Sequence, residues 1–181
     1  MKNVLRMLQY EAYQLGASKV KLIPISSIVI DERVRLKCLV PLCDQYNQNL
    51  MCPPNLPSVE EFRKSVQGYS KALFVQLTLE KKRIFKADIR RYGLKLHKII
   101  HELERRALAS GYPLAAGLIG GSCKLCSKCV GPEHPCRHPL MARPSVEGMG
   151  IDIIQAARKI RLPFDFSSRN RLFWNGMVLT E

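Results

Sequence analysis

Four cysteines in the second half of the chain are spaced so that one loop can bring their sulfur atoms together. Cys123, Cys126 and Cys129 lie three residues apart, and Cys136 follows after six intervening residues. Cubane iron–sulfur clusters take thiolate ligands from runs of this C-x2-C-x2-C kind. The spacing therefore predicts that these four cysteines hold a [4Fe-4S] cluster.

Zinc is the alternative occupant of this loop, because zinc also binds four thiolates. Structural zinc sites more often pair two C-x2-C units across a longer gap, whereas three of the cysteines here fall within one short run. The spacing thus favours an iron–sulfur cluster over zinc. A disulfide framework is disfavoured, because the chain has seven cysteines, an odd number.

Three further cysteines, Cys38, Cys43 and Cys52, lie in the first third of the chain and form its first cysteine group, and the four described above form the second. Three thiolates are an incomplete set for one tetrahedral centre, and three interpretations stay open. A non-cysteine side chain completes the site, an exogenous ligand or substrate takes the open position, or Cys52 and Cys136 exchange between the two groups. His134 and His138 are the candidates for a non-cysteine ligand. The sequence therefore predicts one or two clusters.

Two arginines follow the last cysteine closely, Arg137 and Arg143. Guanidinium groups donate strong hydrogen bonds to anions, and donors near the sulfides of a cluster tend to raise its reduction potential. Both arginines are therefore candidates for cofactor binding. The competing interpretation is that they pair with Glu147 or Asp152.

The chain is strongly basic, with a formal charge of +14 from 29 Lys and Arg against 15 Asp and Glu. This excess favours an acidic partner, which we expect to be a redox protein or subunit, with nucleic acid as the weaker alternative. No apolar run reaches the length of a membrane span, and the first residues do not resemble a signal peptide. We therefore expect a cytoplasmic protein without membrane insertion, in which cysteines serve as metal ligands.

Hydrophobic periodicity predicts helices that alternate with strands. The expected helices cover 3–15, 58–68, 87–109 and 146–159, and the expected strands cover 20–23, 28–30, 33–38, 72–79, 114–119 and 176–179. A polar segment, 165–170, precedes the last strand. We expect one α/β domain, 1–181, with a small mixed β-sheet, packed helices and two cysteine-rich metal loops near one end. His97 and His101 share a face of the third helix and are expected at the core boundary.

These motifs together resemble a prokaryotic family of predicted metal-binding proteins, known as domain of unknown function 2284. The matching pieces span nearly the whole chain: Cys38, Cys43, Tyr46, Cys52-Pro53-Pro54, Cys123-x2-Cys126-x2-Cys129, Cys136-Arg137-His138-Pro139, Arg143-Pro144-Ser145-Val146-Glu147 and Gly150-Ile151-Asp152. The resemblance implies metal binding and carries no agreed activity.

The leading hypothesis is an iron–sulfur protein that passes electrons to or from a partner protein. Electron transfer needs no general acid, which agrees with the lack of an evident nucleophile–base pair in the sequence. A second hypothesis is an enzyme that uses an open iron at the three-cysteine site, assisted by Arg137, Asp44 or a histidine. A third is a zinc-stabilised module that binds nucleic acid through the basic helix at 87–109.

Overall fold

A computed structural model describes residues 2–164 and 170–181 of the chain. The helices are α1 (Lys2–Gln14), α2 (Glu32–Leu36), α3 (Val59–Val66), α4 (Lys86–Ala109) and α5 (Ile153–Lys159). The strands are β1 (Lys19–Pro24), β2 (Lys71–Glu80), β3 (Ala116–Ile119) and β4 (Arg171–Thr180), and a 3-10 turn covers Ile25–Ser27. Nearly all of the polar segment predicted at 165–170 lies outside the described residues.

The strands form one sheet in the order β1-β2-β4-β3. The long strands β2 and β4 pair along their whole length, from Lys71 with Thr180 to Glu80 with Arg171. The predicted α/β class, with helices packed on a small sheet, is confirmed. The sheet was expected to be mixed, but its three strand pairings are all antiparallel. A parallel contact occurs outside the strand pairings, in an isolated bridge between Ile119 and Ser145.

The sheet separates two apolar layers because its side chains alternate between its faces. Leu73 and Val75 of β2 point toward α1 and α4, and they pack with a cluster that includes Leu8 and Leu103. Phe74 points to the opposite face. On that face Phe74 packs with a second cluster. Its members from α3, from α5 and from the loop before α5 are Phe62, Val66, Val146, Ile151, Ile153, Ala156 and Ala157. The sheet is therefore covered by helices on both faces.

Local sequence signals place the ends of several helices correctly. The Ser58 hydroxyl accepts a hydrogen bond from the backbone nitrogen of Glu61, whose carboxylate accepts one from the backbone nitrogen of Ser58. This reciprocal pair is a capping box, and its Ser-x-x-Glu pattern is present in the sequence. Gly16 ends α1 with a φ of +91°, a conformation that suits glycine.

Two predicted strands after β1 are wrong. Residues 28–30 contribute an isolated bridge, from Ile30 to Ile151. Residues 33–38 alternate in polarity, yet the chain forms the short helix α2 there. The carboxylate of Asp31 accepts from the backbone nitrogen of Arg33 at 2.9 Å, and this cap stabilises a helical start that alternation alone does not reveal.

The last predicted helix begins later than expected, at Ile153 rather than at 146. Gly150 has a φ of +78°, which interrupts a right-handed helix. A Cβ atom there would lie 2.6 Å from Val59 Cγ1, so the glycine also allows close packing on α3. The true cap is Asp152, whose side chain accepts from the backbone nitrogen of Gln155 at 2.9 Å. The segment 145–150 is thus free to run along the end of β3.

No helix in the ranges 2–164 and 170–181 is both long and apolar enough to cross a membrane.

Candidate metal centre

The four cysteines of the second group line one small cavity. Its wall contains Cys123, Cys126, Cys129 and Cys136, together with parts of the segments 49–51 and 137–142. The cavity has a volume of about 20 Å³. The run C-x2-C-x2-C and the more distant Cys136 therefore line the same space, and their role as metal ligands stays a prediction.

The three cysteines of the first group line a separate and much larger cavity of about 460 Å³. Cys38, Cys43 and Cys52 share this wall with Lys124 and Glu147. The sequence left open whether Cys52 and Cys136 exchange between the groups. In the structure each faces the cavity of its own group.

Burial makes three of the thiols that line these cavities less acidic, by raising their pKa values. It raises the pKa of Cys52 to about 12, with the neighbouring Cys43 and Cys38 adding to the effect. Burial also raises the pKa of Cys38 and of Cys123. These thiols hold their protons at neutral pH, and a metal that binds them as thiolates must displace those protons.

The two cysteine loops touch each other through Asn49. This side chain is buried, and its amide nitrogen donates to the backbone oxygen of Cys123 at 3.1 Å. Its side-chain oxygen accepts from the backbone nitrogen of Met51 at 3.1 Å. One residue between Cys43 and Cys52 therefore contacts the first cysteine of the other group.

The loop that carries Cys123 is anchored at its start to the end of the sheet. Trp174 of β4 donates from its indole nitrogen to the oxygen of Gly120 at 2.9 Å. The backbone nitrogen of Gly121 donates to Glu147 at 2.9 Å. A Cβ atom on Gly120 would lie 2.5 Å from the backbone oxygen of Asn175, so this position requires glycine. The sheet therefore fixes where the cysteine run begins.

Lys124 lies near cysteines of both groups. It follows Cys123 in the chain, but its side chain lines the three-cysteine cavity. Its ammonium group donates to the Ser122 backbone oxygen at 2.8 Å and lies 5.1 Å from the centre of the Trp174 ring. A positive charge is thus held beside thiols of both groups, where it favours their anionic forms.

Comparison with known proteins identifies the family. A family model described as Predicted metal-binding protein (DUF2284) matches residues 21–180. The chain belongs to this family. The match covers both cysteine groups, all four strands except the first two residues of β1, and helices α2 to α5. No curated protein and no solved structure matches the chain.

The family is predicted to bind metal, and the donor sets in this member fit that prediction chemically. Four thiols without a competing carboxylate face one cavity, and thiolates are the ligands that iron–sulfur clusters and zinc prefer. Within the described ranges, no three His, Cys, Asp or Glu side chains are already arranged to hold a single metal ion.

The two candidate arginines have different surroundings. Arg137 lines the four-cysteine cavity and donates to the backbone oxygen of Lys128 at 3.3 Å. Arg143 forms a buried ion pair with Glu104 of α4 and contacts the His101 ring. Among the described residues, the competing interpretation, a pairing with Glu147 or Asp152, is not formed, because Arg143 pairs with Glu104 and Arg137 bonds to Lys128. Cofactor binding by Arg137 and Arg143 stays a prediction.

The histidines do not complete the three-cysteine site in the structure. His138 lines the four-cysteine cavity, which already has four thiols. His97 is buried and its Nε2 contacts the backbone oxygen of Met141 at 2.8 Å. The non-cysteine oxygen donors that line the three-cysteine cavity include the carboxylates of Asp44, Glu147 and Asp152.

Sequence reasoning did not assign Lys124 and Glu147 to the three-cysteine cavity. Lys124 is adjacent to the other cysteine group in the chain, and Glu147 lies about a hundred residues after Cys43. No spacing pattern relates these positions, so only folding brings them together. The sequence shows that Lys124 lies inside the cysteine run, but it does not show toward which cavity the Lys124 side chain points.

Proposed function

We propose that this member of the family is an iron–sulfur protein of the cytoplasm that transfers electrons to or from an acidic partner protein. Cys123, Cys126, Cys129 and Cys136 would hold a [4Fe-4S] cluster, and Cys38, Cys43 and Cys52 a second. Such clusters accept and release single electrons at potentials that depend on nearby charge and hydrogen bonds. The observation that carries the proposal is the division of seven thiols between two adjacent cavities.

Basic groups beside the thiols support the assignment. Lys124 lines the three-cysteine cavity and Arg137 the four-cysteine cavity. Arg90 donates to the backbone oxygen of Cys126 at 3.1 Å. Cations near clustered thiolates stabilise their negative charge, and the chain's own residues therefore supply compensation to both cavities.

The surface near the four-cysteine loop supports an acidic partner. An open groove of about 530 Å³ contains Cys123, Cys126 and Cys129 along its wall. Its cationic side chains are Lys86, Arg90, Lys124 and Lys128. Complementary charge accelerates encounter between redox proteins and orients them. A partner with a negative surface would be held within reach of this cysteine group.

Zinc at the four-cysteine site is a second candidate, and the size of the cavity favours it. A volume of about 20 Å³ accommodates roughly one water molecule, and a single ion is closer to that size than a cubane is. In this case the four thiols would be structural. The basic groove would then serve a different acidic partner, such as nucleic acid, whose binding weakens steeply with salt.

Metal analysis after anaerobic purification tests the proposal. We expect about eight irons and eight sulfides per chain, with a brown colour that dithionite bleaches, because two cubanes contribute four of each. Serine at Cys38, Cys43 and Cys52 together should leave about four irons, and serine at the four remaining cysteines should remove the other four. A colourless protein that contains zinc would overturn the redox function.

A further inference from the structure

The three-cysteine cavity is large enough for a small molecule. Its volume of about 460 Å³ lies within the range of about 300 to 1,000 Å³ that is usual for ligand sites. One wall is apolar and consists of Val34, Ile151, Ile153 and Ile154. Ligand sites are commonly apolar with a few polar groups that fix orientation, and this cavity has that character.

Charged groups of both signs face the cavity. Lys37, at the end of α2, and Lys124 contribute ammonium groups, and Glu147 contributes a carboxylate. The carboxylate is oriented through Oε2, which accepts from the backbone nitrogen of Gly121 at 2.9 Å and from the Ser145 hydroxyl at 2.8 Å. Lys124 and Glu147, both described, form no ion pair with each other. The Lys124 ammonium and the Glu147 carboxylate can therefore each bind a different charged group of a ligand.

We propose that this cavity binds a free α-amino acid with an apolar side chain. The ammonium groups of Lys37 and Lys124 receive its carboxylate, Glu147 receives its amino group, and the isoleucine wall contacts its side chain. The inference rests on the proposed function only for the coordination position that three thiolates leave open, because the other contacts of the ligand are made by the chain's own side chains.

The overall charge of the cavity explains why a zwitterion fits better than a simple acid. Three carboxylates line it, Asp44, Glu147 and Asp152, against the two lysines Lys37 and Lys124. Thiolates at the cysteines would add further negative charge. A molecule with only a carboxylate is repelled by this excess, and a molecule with only an amine makes no contact with the charges of Lys37 and Lys124.

Calorimetric titration of the anaerobically purified protein with L-leucine tests the inference. Two analogues each lack one charge: 4-methylpentanoate has no amino group, and 3-methylbutylamine has no carboxylate. We expect L-leucine to bind at least about tenfold more tightly than either, because each charge-assisted hydrogen bond contributes about that much. Equal or tighter binding of either analogue would overturn the inference.

Variants locate the bound amino acid. Lys37→Met, at an exposed position that leaves the fold intact, should weaken L-leucine binding about tenfold, as should Lys124→Met and Glu147→Gln. Lys128→Met is the matched control, because Lys128 lies in the same loop as Lys124 but on the wall of the other groove. If Lys37→Met bound L-leucine with unchanged affinity, the proposed contact between Lys37 and the ligand carboxylate would be contradicted.

Iron analysis of the same samples separates the two proposals. Full iron content without L-leucine binding refutes the amino-acid site and leaves the proposed function standing. Binding that depends on Lys37 and Glu147 in a protein without iron supports the site and refutes the clusters. With both present, L-leucine should change the electron paramagnetic resonance spectrum of the reduced protein, and serine at Cys38, Cys43 and Cys52 should abolish that change.

Discussion

The side-chain amide nitrogen of Asn49 donates a hydrogen bond to the backbone oxygen of Cys123, at 3.1 Å. Asn49 belongs to the loop that contains Cys43 and Cys52, and Cys123 begins the other cysteine group. The amide is buried, so the bond is not exchanged readily for water. This contact joins the two cysteine loops directly, so we expect a change in one loop to affect the other.

Asn49→Ala should loosen both cysteine groups. The substitution leaves the Cys123 oxygen and the Met51 nitrogen without this partner, which costs about 1–3 kcal/mol for buried polar groups. We expect metal release to a chelator to accelerate about tenfold, since that factor corresponds to about 1.4 kcal/mol. The measurement is the release rate, with the exposed Asn3→Ala on α1 as the control. Equal rates for both variants would show that the contact does not couple the loops.

The ion pair between Glu104 and Arg143 should be the strongest connection between α4 and the segment after Cys136. Both side chains are largely buried, at 11% and 13% exposure, and Glu104 also accepts from the backbone nitrogen of Gly117 at 3.1 Å. Glu104→Ala should reduce the free energy of unfolding by about 3–5 kcal/mol, because it leaves a buried guanidinium without its counter-charge.

A double-mutant cycle distinguishes this loss from a simple packing defect. Replacing both Glu104 and Arg143 by alanine should cost clearly less than the sum of the two single alanine changes. The control is the exposed pair Glu60–Lys64, with an N–O distance of 2.9 Å, whose removal should cost less than about 0.5 kcal/mol. Additive costs at Glu104 and Arg143 would mean that the pair contributes nothing specific. Urea unfolding measures each free energy.

His97 should make the protein less stable in mild acid. Burial lowers the pKa of its ring to about 4 from an ordinary value of 6.5, and the charges of Arg143, His101 and Lys124 act in the same direction. Between these values the unfolded chain binds a proton that the folded chain does not. The free energy of unfolding therefore falls as the pH drops from about 6.5 to about 4, by about 3 kcal/mol in total.

The variant His97→Gln tests this dependence, because glutamine still donates to the Met141 oxygen but does not titrate. Its free energy of unfolding, measured in urea from pH 4.5 to 7.5, should change less with pH than that of the wild type. The exposed His134→Gln should retain the wild-type dependence. If His97→Gln retained it as well, His97 would not be the group responsible.

The basic groove should determine the rate of electron exchange with an acidic carrier. Lys86→Glu and Lys128→Glu each reverse a charge on its wall, and both side chains are exposed. With a ferredoxin of strongly negative charge as donor, we expect the bimolecular rate to fall about tenfold at low salt, because steering is lost. Lys98→Glu makes the same change on the same helix, outside the groove, and is the control.

Salt provides the check on this interpretation. Above about 0.5 M salt the rates of wild type and variants should converge, because the Debye length is then only a few ångströms. A persistent difference at high salt would indicate damage to the cysteine loop rather than lost steering.

The sequence predicted what depends on neighbours in the chain. The capping box at Ser58 and Glu61, the apolar face of α4 and the close spacing from Cys123 to Cys129 were all readable, since each involves residues a few positions apart. The prediction failed at α2, where alternating polarity suggested a strand. There the cap at Asp31 outweighed the pattern, and a five-residue helix offers little periodicity to detect.

The sequence by itself determined the chemistry of the donors: seven thiols, in one run of closely spaced cysteines and one looser group. The tertiary structure decided how those thiols divide, that Lys124 reaches the cavity of the other group, and that Glu147 faces it. The reason is physical: a cavity is formed by side chains that are distant in the chain, and their directions depend on how the sheet and both helical layers pack. Residue types and short spacings are local, whereas the shape and charge of a site are not.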